Sequence, residues 1–556
     1  MSLWTDEALT ITEGYGTHEC RLFRAKIFDA HSFLCLILAK KYVRTAKAKD
    51  YVAANDELRR YSERLVLGAR FQGIYIDSPD EDVKRFAEQR SLNMTGLSAR
   101  YIKQFGLRKA ARLVQVRLAS YGFDLPLNDI KKASEEELAG AIARVSDSAW
   151  WRREIRNLQD RTLESLFIEL GLVNRITGIY ASTFSVTRKL QQKLRNDAIL
   201  ASLEAENDLG QVFNLLDLAK RGVSNLVNRR NELMTRIAGL EGYAKDQDHV
   251  AVFYTLTAPS KYHAYHSKPC RPNPKYNNAT PAETHAYFNK IWSRIRAAFK
   301  HEEIKPYGIR VVEPHHDGTP HWHMLFFMAP NQVERATQII KRYALAEDGQ
   351  EAGAELRRLK VEHIDPNKGS AIGYVAKYIA KNIDGEHVGA DLYGNDAIDS
   401  AIRIRAWASI WNIRQFQFIG SPSVTVWREA RRFATSEAAQ ETLERIGSEQ
   451  LSAIIDACDN GDFKAFVELS GGATAPLKEQ PLRALHVAKE TPNKYGEAIK
   501  KLIGICFQGI ETIKTRVFKT LCQKLQFNVS IQSSGKMNRQ LRQRQIPILH
   551  GMRPSL

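Results

Sequence analysis

Residues 307–328 read YGIRVVEPHHDGTPHWHMLFFM, and the fold turns on how this stretch divides. Tyr307–Glu313 is β-branched and aromatic, hence a strand. His315-His316-Asp317-Gly318-Thr319 has the polar and glycine residues of a turn. His321–Met328 is a second apolar run, so the stretch is a hairpin. Working outward, Val250–Thr257 (VAVFYTLT) is a strand before it and Leu359–Ile364 a strand after it. Thr280-Pro281-Ala282-Glu283 opens a helix with a capping box and proline at the first helical position. Phe288, Ile291, Trp292, Ile295 and Phe299 supply that helix's apolar stripe. Val333–Ala344 reads as a second helix. Asp365-Pro366-Asn367 turns the chain into a third, Ala371–Ile383, closed by Asp384-Gly385. The order β-α-β-β-α-β plus one helix is the split βαβ, ferredoxin-like arrangement of an α+β fold. Right-handed crossovers would set its first and third strands side by side in the centre of an antiparallel sheet, with the extra helix across one face.

The flanks differ in texture. Residues 1 to about 245 read mostly as helix. One begins near Ser148 with Trp151, Ile155, Leu158, Leu166 and Leu170 on one face, and another runs through Asn228–Leu240 and is expected to end at Gly242. Arg403–Arg432 alternates aromatics with cations, among them Trp407, Trp411, Phe416, Phe418 and Trp427. These are expected in the core, with base stacking as the second use of any exposed ring. The expected organisation is a mainly helical region over 1–140 and a helical, DNA-binding region over 141–246. The α+β domain with its aromatic and basic extension follows over 247–432, then an acidic-then-basic region over 433–530 and a mobile basic tail over 531–556.

Composition narrows the function. The chain has 556 residues, 44% hydrophobic and 26% charged, which excludes a wholly disordered or fibrous protein. The longest apolar run, Phe33 to Ala39, is far short of a membrane span. No secretory pattern opens the chain, and none of the six cysteines sits in a CxxC pair, so a cytosolic protein without a disulfide framework is expected. Against 63 acidic residues stand 81 basic ones, a net charge of +18 that favours a polyanion partner, above all nucleic acid. The excess is uneven: Ala484 to Leu556 carries +10, whereas Arg431 to Arg483 carries −3.

The chemistry sits in the hairpin. In a strand, His321 and His323 point to one face and Trp322 to the other. A three-residue loop of Asp317, Gly318 and Thr319 would set Glu313 opposite His323 and His315 opposite His321, making Glu313 a third ligand. A two-residue loop would turn Glu313 away and offer His316 instead. Two imidazoles and a carboxylate with open positions suit Mn²⁺ or Mg²⁺ acting on a phosphate. On the third helix Tyr374 and Tyr378 stand at i and i+4, so their hydroxyls share a face, and Lys377 and Lys381 form a second such pair at its edge. A metal and nearby cations favour the phenolate character that attack requires. His263, His266, His285 and His363 are expected at loops or on the surface.

His321-Trp322-His323 and Tyr374…Tyr378 resemble the HUH motif and the two-tyrosine motif of HUH endonucleases. The fuller resemblance is to the replication gene A proteins of tailed bacteriophages and their prophages. It is carried by FYTLTAPS (253–260), EPHHDGTPHWHMLFF (313–327), GYVAKYIAKNIDG (373–385) and RAWASIWNIRQFQFIGSPSVTVWRE (405–429), with AWWRREIR (149–156), GIYAS (178–182) and, more weakly, TPNKYGE (491–497). The resemblance implies an enzyme that initiates rolling-circle DNA replication by nicking one strand at an origin, leaving a 5′-phosphotyrosyl link and a free 3′-OH. On this chain it implies Tyr374 and Tyr378 as nucleophiles and His321 and His323 as metal ligands, with Glu313 in the third position and Mg²⁺ or Mn²⁺ as cofactor. It gives Lys377 a role in stabilising phosphate charge, and Thr255 and Thr257 a structural role beside the histidine strand. Single-stranded origin DNA, a helicase and a polymerase are the implied partners, and the bacterial host's cytoplasm the implied place. The pattern GxxxxGK[ST] is absent, so no intrinsic ATPase is expected. The competing readings are an HUH relaxase or transposase, a metallohydrolase using metal-bound water, and a non-catalytic DNA-binding protein.

Overall fold

Five strands form an antiparallel sheet: β1 (Val250–Leu256), β2 (Tyr307–Pro314), β3 (Pro320–Met328), β4 (Leu359–His363) and β5 (Phe416–Ile419). The structure, a computed structural model, describes residues 3–67, 71–207, 209–386, 389, 393–489, 491–516 and 520–521. The strand order is β4-β1-β3-β2-β5, and every neighbouring pair is antiparallel. The first and third strands are therefore adjacent, as the element order requires. β5 is an addition that the aromatic and cationic alternation after Trp407 does not announce.

The helices that place the site are α1 (Ser148–Glu169), α2 (Leu226–Asp246), α3 (Pro281–His301), α4 (Pro330–Ala344), α5 (Ala371–Ile383), α6 (Ala397–Trp411) and α7 (Val424–Ala434). The capping box of α3 is formed, with Thr280 and Glu283 each bonding the other's backbone N–H. Period-two alternation sorts the sheet into two faces. Val252, Tyr254, Trp322, Met324 and Phe326 pack against Phe288, Trp292 and Ile295 of α3 and Ile340 of α4. Phe253, Val311, Leu325 and Phe327 pack against Leu233, Ile237 and Leu240 of α2 and Val375, Ile379 and Ile383 of α5.

Gly242 does not end α2, which runs on to Asp246. The glycines serve a close approach instead. A Cβ on Gly239 would lie 2.7 Å from the Lys464 backbone N and 2.7 Å from Phe463 Cβ, at the start of the helix Phe463–Leu469. Trp407, Trp411 and Trp427 are buried, as expected of core aromatics, and Phe418 is partly exposed. Beyond α7, short helices lead to a three-stranded sheet, Leu482–Ala488, Lys500–Phe507 and Glu511–Lys514. The tail expected over 531–556 lies outside the described residues. Among those residues, no helix is long and apolar enough to cross a membrane.

Candidate active site

β2 and β3 are joined by His315–Thr319, and the ladder pairs Pro314 with Pro320, Glu313 with His321 and Val311 with His323. The expected register, with Glu313 opposite His323 and His315 opposite His321, is corrected by two residues. The longer loop is held by its own bonds and by distant ones. His315 N donates to Thr319 O at 2.8 Å, and Gly318 N donates to His315 O at 2.9 Å. Gly318 takes φ 82°, which glycine adopts without strain. The Asp317 carboxylate accepts from Thr319 N at 3.1 Å and from Tyr265 N at 3.3 Å, and Trp407 Nε1 donates to Gly318 O at 2.8 Å. A slip of two keeps every side chain on its face, so Glu313 still points with the two histidines.

The candidate ligand atoms of Glu313, His321 and His323 all lie within 4.8 Å of one another. His323 Nε2 donates to Glu313 Oε1 at 2.9 Å, and Thr255 Oγ1 lies 3.1 Å from His323 Nδ1. A hydroxyl both donates and accepts, so Thr255 supports either tautomer of the ring, including the one that frees Nε2 for a cation. Thr257 lies beyond β1 and donates its backbone N–H to Arg358 O. His315 stacks on His321 with centroids 4.2 Å apart. His316 turns toward Tyr393, 6.0 Å between rings, and stands outside the ligand group. Trp322 is on the other face, against Phe288. His263 lies in a loop, as expected, 3.4 Å from Asp317, whereas His285 is on α3 and packs on Trp322; neither belongs to the ligand group.

α5 lies across this face. Ser370 Oγ caps its Gly373 N, and the Glu241 carboxylate accepts from Ala371 N and Ile372 N at 3.2 and 3.0 Å. A carboxylate at a helix N-terminus satisfies orphan donors and complements the dipole. The Tyr378 ring comes within 4.1 Å of the His323 ring and stacks on Phe253 at 5.3 Å. Tyr374, one turn earlier, is 44% exposed and lies 6.3 Å from Phe253. Lys377 is exposed, and Lys381 is the lysine that turns inward, with Nζ 3.4 Å from Glu313 Oε2. Asn382 Nδ2 donates to the same oxygen at 3.0 Å, and Gln415 Nε2 donates to Asn382 Oδ1 at 3.3 Å. Lys381 was visible in the sequence as the i+4 partner of Lys377. Asn382, Gln415 and Glu241 carry no spacing signal.

The electrostatics suit a divalent cation. Burial alone would raise the Glu313 carboxyl, yet Lys381 and His323 hold it well below the usual carboxylate range. Burial, then the neighbouring His315 and His323, hold His321 well below the usual imidazole range. An ionised carboxylate beside a neutral imidazole is the donor state a metal takes. Burial, with Glu313 and Glu362 beside it, pushes the Tyr378 phenol up to about 12.

The fold and this group define a class: a mixed helix-and-sheet chain that sets a possible metal triad beside paired tyrosines on one sheet face. The chain belongs to the bacteriophage replication gene A protein family, which it matches over residues 103–386. It is 43% identical over 396 residues to the "Probable replication protein P12" of Pseudoalteromonas phage PM2, covering 70% of this chain and 60% of that one. It is 42% identical over 382 residues to the "Replication gene A protein" of Escherichia phage 186, covering 68% and 54%. A "Probable replication endonuclease from prophage-like region" of Salmonella paratyphi A is 33% identical over 384 residues, covering 67% and 48%. The chain thus spans about half to three-fifths of the length of the curated relatives it matches. No solved structure matches it.

Proposed function

We propose that this chain initiates rolling-circle replication of phage DNA by nicking one strand at an origin and rejoining it after a round of synthesis. In this reading the five-stranded sheet is the ferredoxin-like platform of an HUH endonuclease, and β5 an extension of it. The observation that carries the reading is the approach of the Tyr378 ring to His323, within the same buried cluster as Glu313. His321, His323 and Glu313 would hold Mg²⁺ or Mn²⁺, which would supply Lewis-acid polarisation of the scissile phosphate.

The chain's own residues do the rest. A tyrosine Oη attacks phosphorus, the P–O3′ bond breaks as the P–Oη bond forms, and the 3′ oxygen takes up a proton to become the primer hydroxyl. The phenol releases its proton to solvent. Stacking on Phe253 and His323 fixes the Tyr378 ring, so little orientational freedom is left to lose. Bond energy stays in the phosphotyrosine, and no nucleotide is consumed. The second tyrosine, one helical turn away, serves the joining step. Lys377, exposed on the same helix, meets a phosphate of the bound strand. Unwinding and extension then fall to a separate helicase and polymerase.

The test is incubation with single-stranded origin DNA and Mg²⁺ or Mn²⁺, followed by denaturation. A covalent protein–DNA adduct is the expected product, lost in His321→Ala or His323→Ala while DNA is still bound. Nicking without an adduct would assign the chemistry to metal-bound water, and no nicking would leave a binding protein.

A further inference from the structure

Arg236 is 7% exposed and Arg310 is 3% exposed, yet among the described residues the buried Nε of each has no hydrogen-bond partner and neither arginine forms an ion pair. A guanidinium carries five donors and a fixed charge, and burying it unpaired is costly. Stacking accounts for their posture. Arg236 lies 3.5 Å from the Phe418 ring centroid and Arg310 3.9 Å from that of Trp322. Ring faces hold a cation but leave Nε–H without an acceptor.

Arg310 meets Trp322 on the α3 face of the sheet, whereas Arg236 lies on the α2 face beside β5, and there it has company. Arg229, two turns earlier on α2, lies over Phe416 at 5.3 Å. Arg414, just before β5, is exposed and donates Nε to Phe416 O at 3.2 Å. The near carboxylate, Glu232, is already engaged bidentately by Arg428 at 2.7 and 2.6 Å. The like charges of Arg414 and Arg428, after burial, help push Arg236 down to about 10. Arg229, Arg236 and Arg428 thus gather about Glu232 with Arg414 beside them, so positive charge is in excess here. The margin also leads to the triad: Phe416 pairs with Val311, and Val312 N donates to Gln415 O at 2.7 Å, one residue short of Glu313.

We propose that Arg229, Arg236 and Arg414 form a phosphate clamp along β5 that holds the backbone of the single-stranded DNA adjoining the scissile bond. The strand's identity rests on the nicking reading. The clamp's chemistry is planar donor forks for oxyanions, pre-oriented by phenyl faces. It reads no base, so it serves any sequence that the tyrosines are offered.

The test is fluorescence anisotropy of the full chain with a labelled single-stranded oligonucleotide over a series of NaCl concentrations. Each single-strand phosphate contact contributes about 0.7 to the slope of log K against log salt. R229A/R414A, both at exposed positions, is expected to make the slope shallower by about 1.4, and adding R236M by about 2 in all. Unchanged slopes in both variants would overturn the clamp. So would R236M lowering the melting temperature without moving the slope, since the guanidinium would then only pack. Adduct formation by the unaltered chain is scored separately. An adduct with unchanged slopes sinks the clamp alone, and lost slope without any adduct sinks the nicking reading alone.

Discussion

Lys381 is the counter-charge of a carboxylate with almost no access to water: Glu313 is 1% exposed and Lys381 is 2% exposed. Removing one partner of such a pair strands the other. Lys381→Met is expected to cost about 3 kcal/mol in urea unfolding of the metal-free chain. Lys377→Met, four residues earlier and exposed, should stay within about 0.5 kcal/mol. The tyrosines separate in the same manner. Tyr378→Phe keeps the ring on Phe253 and His323 and removes only the hydroxyl, so its unfolding should shift by less than about 1 kcal/mol. Under the nicking reading, Tyr378→Phe and Tyr374→Phe each block a different step, resolved by cleaving an origin strand and then supplying a second origin. The double variant should form no adduct on a denaturing gel. An adduct from it would move the nucleophile elsewhere.

Elements show which parts of this fold local sequence controls. Gly239 and Gly242 sit on one helix, but their surroundings differ. A Cβ at Gly239 meets the backbone of Lys464, whereas one at Gly242 meets the flexible Lys464 side chain at 3.1 Å. Gly239→Ala should therefore cost about 1–3 kcal/mol by overpacking. Gly242→Ala should be neutral or stabilise by up to about 1 kcal/mol through helix propensity, both read by urea unfolding. The same contrast explains what could be read in advance. The capping box at Thr280, the i, i+4 tyrosines of α5, and the alternation that sends His321 and His323 together are local, and the sequence displays them. The hairpin register is not local, because Tyr265 and Trp407 help to set the loop length from far along the chain. The extent of α2 was hidden because glycine signals a helix end and a close approach alike. β5 was hidden because four residues among buried tryptophans have no pattern of their own.

At the scale of the whole molecule, the stretch TPNKYGE finds its place in a contact between distant parts of the chain. Asn493 Oδ1 accepts from Tyr495 N and Glu497 N, so the turn is organised by its own side chain. That turn, between two strands of the C-terminal sheet, docks on the helix Glu135–Val145 and the start of α1. Tyr495 Oη donates to Asp147 at 2.7 Å, Ala498 N donates to Glu136 Oε1 at 2.8 Å, and Arg144 pairs with Glu497 while covering the Tyr495 ring at 4.5 Å. Gly140 makes room, since a Cβ there would meet the Glu497 carboxylate. Every one of these bonds is polar, and the ion pairs are half open to solvent, so each contributes less than about 1 kcal/mol and weakens with salt. The docking should therefore release as a unit without unfolding the sheet. In R144A/K494A, which removes the Arg144–Glu497 pair and the Lys494–Asp147 pair, hydrogen exchange at residues 491–499 should rise to nearly unprotected rates while β1 and β3 keep their protection, and global stability should change by less than about 2 kcal/mol. The same release should follow from raising salt in the unaltered chain, because the substitutions and the ions act on the same charges. Loss of protection in β3 along with the turn would mean instead that this contact holds the sheet together.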